Sequence, residues 1–173
     1  MRKSFVAITL AASLGISPVG ACGLDGVIDN PFTTSYPGSL GVALGTQQAV
    51  ANGKLAALPA LGAEAASARL EARLDQLRVR LEKTGLRGGF ALLVVDSGHW
   101  TRFAASGSSV RISLHATPAI YDPILLTSES ALAALLDGSL TADVAEQAGL
   151  VRWGGSDSPA LAQAVLTALA TGA

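Results

Sequence analysis

The chain has little of what most catalytic or metal-binding proteins rely on. Its 173 residues include one cysteine, Cys22, two histidines, His99 and His115, and 5% aromatic residues. A lone cysteine closes no internal disulfide, and no CxxC, HExxH or Cys/His cluster offers a set of metal ligands. Neither a metal nor a cofactor is expected. No G-x-S-x-G nucleophile elbow is present, and "GLRGG" (85–89) lacks the spacing of a phosphate-binding or dinucleotide loop. Acid/base chemistry near neutral pH would need His99 or His115, with Asp96, Asp122 and several serines as company. Such triples can be written in most sequences, so the expectation is a protein that is not an enzyme.

Charge is also scarce. Charged residues make up 14% of the chain, the formal net charge is −1, and the only basic series is Arg69, Arg73, Arg78 and Arg80. That excludes nucleic acid as an expected partner. The series is read either as a set of contacts to lipid headgroups or, with the greater weight, as a solvated helix face. Half the residues are hydrophobic, enough to exclude disorder and to fill one core, mostly with aliphatic side chains.

Cys22 stands in a specific place. "MRK" is followed by the apolar "SFVAITLAASLGI", which is too short for a spanning helix, and then by the small residues of "SPVGA". Residues 1–21 read as a secretory signal peptide. Val19-Gly20-Ala21-Cys22 resembles the lipobox of bacterial lipoproteins, which implies that Cys22 is the lipid attachment site. The other reading is ordinary cleavage after Ala21, which leaves a free thiol. A modified cysteine suits an oxidising compartment better than a free one. Two or more acyl chains anchor a protein stably. The expected location is extracytoplasmic and membrane-anchored, in the bacterial periplasm or at the cell surface.

Residues 22–38, rich in Gly, Pro, Asp, Ser and Thr without periodicity, read as a flexible tether. Residues 39–173 read as a single domain, with 39–62 as a helical extension in which Ser39 is the expected N-cap and Asn52-Gly53 the stop. From Glu64 to Thr84 the apolar Leu70, Leu74, Leu77 and Leu81 follow helical spacing, with Gly85 closing the run. Two heptads are too few for a stable coiled coil, so this helix is expected to dock on the chain's own sheet.

The period then changes to two. Residues 89–96, 99–105 and 110–116 read as an antiparallel meander, with Val110, Ile112 and Leu114 alternating against Arg111, Ser113 and His115. A fourth strand is expected in "AIYDPILLTS", where Pro118 and Pro123 suggest an edge or a bulge. Ser128 caps a helix ended by Gly138, Thr141 caps a short helix ended by Gly149, and "LVRWGG" is a last strand. Ser158-Pro159 opens a final helix with Leu161, Val165, Leu166 and Leu169 on one stripe. The fold class is α+β, with an antiparallel or mixed sheet of about five strands packed on helices.

The order helix, meander, "ILLTS", a helix ending "LLDGSL", a short helix, "GLVRWGG" and a final helix resembles the sterol carrier protein type-2 family over residues 70–169. Residues 23–62 have no counterpart in it. The resemblance implies an apolar tunnel between sheet and helices that accepts fatty acyl chains, sterols or other lipids. The residues alone show apolar faces, which either close on one another or leave a cavity. Its expected walls are Val110, Ile112, Leu114, Leu132, Leu136, Leu161 and Val165. Trp100, Trp153 and Tyr121 either line such a site or fill the core. Two functions are carried forward. One is a non-catalytic lipoprotein that binds or carries an apolar small molecule or lipid. The other is an accessory envelope protein whose apolar groove binds another protein.

Overall fold

The computed structural model describes residues 36–170. Residues 1–21, read as a signal peptide, Cys22 and most of the stretch read as a tether therefore lie outside the described residues. A five-stranded sheet in the order β3-β2-β1-β4-β5 is built from β1 (Arg87–Val94), β2 (His99–Ser106), β3 (Val110–Leu114), β4 (Pro123–Thr127) and β5 (Val151–Gly155). The first three strands form the antiparallel meander expected from their alternation. β4 then crosses back to lie parallel to β1, and β5 returns antiparallel to it, so the sheet is mixed and the class is α+β.

β4 is not at an edge, as its prolines suggested. It lies between β1 and β5, and all five of its residues are buried. Pro123 is tolerated because it is the first residue of the strand, where the missing N–H interrupts the ladder least. A second correction concerns His115. It lies one residue beyond β3, with φ of 53°, rather than on the strand's polar face.

One sheet face carries α2 (Ala63–Thr84), α3 (Glu129–Asp137), α4 (Ala142–Gln147) and α5 (Pro159–Ala170). Leu70, Leu74, Leu77 and Leu81 of α2 are buried, and they share one core with Phe90, Leu92, Phe103 and Leu125 of the sheet and with Leu132, Leu135, Val165 and Leu169 of the other helices. Each buried leucine contributes on the order of 2 kcal/mol, whereas helix propensities differ by tenths. Packing on the sheet is thus what fixes α2, as its short stripe implied.

The opposite face carries α1 (Ser39–Ala51), which buries Val42 against Ala91, Leu93, Ile124 and Leu126. This second, smaller core explains why β4 is apolar on both sides. Ser39 is not the N-cap. Gly38 holds that position with φ of 99°, and the Ser39 hydroxyl donates to the Tyr36 carbonyl at 2.6 Å.

Tyr36, within the stretch read as tether, is part of the folded structure. Its hydroxyl accepts from the Gly155 N–H at 2.7 Å, and its ring meets Trp100 edge-on at 6.3 Å. Glycine is needed at 154 for this, since a Cβ there would lie 2.6 Å from the Tyr36 ring.

Candidate functional site

The expected cavity walls are in contact with the sheet–helix core. Val110, Leu132, Leu136, Leu161 and Val165 are buried in it, and Ile112 packs against it. Leu114, at the end of β3, is 39% exposed. Five of the seven thus meet in one packed cluster, and none of the seven lines the groove described next.

A groove of about 910 Å³ runs along the seam of α2 and α5. Gln76, Val79, Arg80, Lys83 and Thr84 form one bank, and Ala160, Gln163, Ala164 and Thr167 the other. The groove arises from what flanks the two buried stripes. On α2 the lining residues near Leu77 and Leu81 are, apart from Val79, long or polar, and on α5 those near Leu161 and Val165 are alanine, glutamine and threonine. Alanines opposite Val79 leave room that a pair of leucines would have closed. None of these residues belongs to an apolar stripe, so periodicity gave no sign of the groove.

Arg80 is committed to structure. Its guanidinium donates to the carbonyls of Leu136 and, at 3.3 Å, Leu169, which lie in the last turns of α3 and α5. Lys83 has no hydrogen-bond or ion-pair partner among the described residues, which leaves a cation at the rim available to an anion.

The other arginines of α2 are not a simple solvated face. Arg69 and Arg73 converge on Glu129, at 2.7 Å each to Oε1, and Arg69 also reaches Oε2 at 3.0 Å. Glu129 is 7% exposed. Its hydrogen bond raises the pKa of Arg69. The Glu129 N–H is in turn capped by Asp96 at 3.1 Å. Arg78 pairs with Asp75 and Glu82 along α2 itself, both at 2.8 Å.

A second, smaller cavity of about 330 Å³ is lined by Ser97, Gly98, His99, Trp100, His115 and Thr117. It brings the chain's two histidines together, ring centroids 4.5 Å apart. Partial burial holds the His99 imidazole below its ordinary range, and His115 acts in the same direction while Glu71 opposes. Among the described residues His99 Nε2 is buried without a hydrogen-bond partner. Trp153 packs edge-on to Phe90 in the main core, at 6.2 Å, while Tyr121 is exposed to solvent.

No family model and no curated protein matches the sequence. Solved structures with a similar arrangement include a ubiquinone synthesis protein described as UbiJ-SCP2, at 15% identity and a TM-score of 0.44, covering 61% of this chain and 94% of that one. A sterol carrier protein 2 is similar at 19% identity and a TM-score of 0.43, covering 61% and 96%. A conserved hypothetical protein from Thermus thermophilus, described as possibly sterol carrier protein, is similar at 18% identity and a TM-score of 0.41, covering 60% and 85%.

Proposed function

We propose that this protein is a non-catalytic, extracytoplasmic lipoprotein that binds the hydrocarbon part of a lipid or other amphiphile along the α2–α5 groove. The observation that carries the proposal is the groove itself. Its volume falls in the range of small-molecule sites, roughly 300–1,000 Å³. Its banks include the apolar Val79, Ala160 and Ala164, and its rim offers the ammonium of Lys83, which has no partner among the described residues. An extended acyl chain suits such a trough, with an anionic head beside Lys83. Attachment through Cys22 supplies the membrane location, since no helix among the described residues is long and apolar enough to cross a bilayer.

A groove between two helices also suits an amphipathic helix of another envelope protein. Native mass spectrometry of gently extracted full-length protein separates the two. A bound amphiphile of a few hundred daltons, displaced by a fluorescent fatty acid with saturable binding, supports the carrier. A bound polypeptide supports the envelope-partner reading. An empty protein with no saturable uptake removes the carrier. The mass of the N-terminal peptide tests lipidation at Cys22.

A further inference from the structure

The sheet face that carries α1 differs from the groove side in kind. No residue of α1 is charged, and two of its leucines, Leu40 and Leu44, are 59% and 57% exposed. Four residues apart, they lie on one side of the helix. The strand pairing places Arg111 and Arg152 on this same sheet face, through Ala104 and Leu126 respectively, and both are exposed.

At one end of the face stands the β3–β4 turn, where Ile120 and Tyr121 are 90% and 83% exposed. The turn is not loose. The Asp122 N–H donates to the Ala119 carbonyl at 3.0 Å, and the Asp122 carboxylate accepts from the Ala119 N–H at 2.9 Å and from Arg102 at 2.7 Å. The Ser156 hydroxyl holds the Tyr121 carbonyl at 2.5 Å. Two large apolar side chains are thus presented to water by a braced backbone, so little ordering entropy remains to be lost on contact.

The chain enters the folded structure at this place. Tyr36 is held by Gly155, which pairs with Pro123 next to the turn and precedes Ser156. From Cys22 to Tyr36 the chain reaches at most about 50 Å, and α1 begins three residues later.

From this juxtaposition we propose that the α1-bearing face, with the Ile120–Tyr121 turn, is a membrane-docking surface that lies on an anionic bilayer. It rests on the reading of Cys22 as a lipid anchor. Leucine and isoleucine enter the headgroup boundary, tyrosine keeps its hydroxyl in the wet layer, and the arginines meet lipid phosphates. The groove, on the other side of the sheet, then opens away from the bilayer.

The test uses the full-length protein in vesicles of phosphatidylethanolamine and phosphatidylglycerol containing a spin-labelled phospholipid. A dye is attached through Leu40→Cys, Ile120→Cys or, on α5, Gln163→Cys, each in a separate sample. If the face docks, dyes at 40 and 120, buried in the boundary layer, are quenched roughly threefold or more beyond the dye at 163. The contrast weakens in phosphatidylcholine alone. The N-terminal peptide mass is read on the same samples. An unmodified Cys22 overturns the anchor and this proposal together. A lipidated chain with equal quenching at all three positions overturns the docking face and leaves the anchor standing. Shielding of 40 and 120 only in native envelope fragments overturns the proposal in favour of a protein partner.

Discussion

Helix α2 makes two seams of opposite character. Toward α3 it is clamped, with Arg69 and Arg73 sharing the buried carboxylate of Glu129. Toward α5 the buried leucines Leu77 and Leu81 share the core with Val165 and Leu169, Arg80 reaches the last turn of α5, and the outer side of the seam is left open as the groove. One helix therefore uses long cations to close one side and small neighbours to leave the other open. Openness on one flank is compatible with a rigid domain because the leucine stripe and the ion pairs hold the helix independently of what fills the groove.

The largest effect is expected from breaking the clamp. Glu129→Ala leaves two guanidiniums facing each other and should cost roughly 3 kcal/mol, at the low end of the range for buried pairs because each arginine is about one-fifth exposed. Urea denaturation measures it, and a loss below about 0.5 kcal/mol would place the clamp among ordinary surface pairs.

Putting one bulky side chain on each side sharpens the contrast. Leu136→Trp, in the packed core, should overpack it and cost about 1–3 kcal/mol. Ala164→Trp, in the groove, should change stability by less than about 1 kcal/mol while removing saturable binding of a fluorescent fatty acid. Equal destabilisation by both would mean that the groove is not usable space.

A smaller effect is expected at the rim. Lys83→Met should weaken a fatty-acid probe about two- to fivefold and leave an uncharged analogue nearly unaffected, the scale of an exposed ion pair. Equal loss for both probes would locate the cation's role in packing instead.

The smallest effect lies outside both seams and serves as their control. His99 is held below its unfolded pKa, so the unfolded chain binds more protons between the two values and stability rises with pH there. The contribution is whole above the unfolded value near 6.5 and is lost as pH falls through the folded one. The melting temperature should therefore drop from pH 7.5 to pH 5, and His99→Asn should reduce that drop. An unchanged drop would assign the pH response to carboxylates.

What the sequence disclosed follows from which signals are local. The stripe Leu70, Leu74, Leu77, Leu81 and the caps Ser128 and Thr141 depend on spacings of three or four residues, and they are where periodicity put them. The position of β4 between β1 and β5 depends on a pairing some thirty residues apart, which a local signal such as Pro123 cannot reveal. The groove was illegible for another reason. Its banks are alanine, glutamine, threonine and lysine, residues with no pattern until two helices bring them face to face. Glu129 follows the Ser128 cap in sequence with nothing local to mark it, and only the approach of α2 makes it a buried hub.

The docking of Tyr36 has a mechanical consequence. Tension applied through the N-terminal segment arrives first at the Tyr36–Gly155 hydrogen bond and then at α1, which is held to the sheet by a small patch around Val42. The strands behind it share their load across backbone ladders and the larger core. Under pull, α1 should peel away while the five strands and the groove keep their shape, so that this layer is the first to yield.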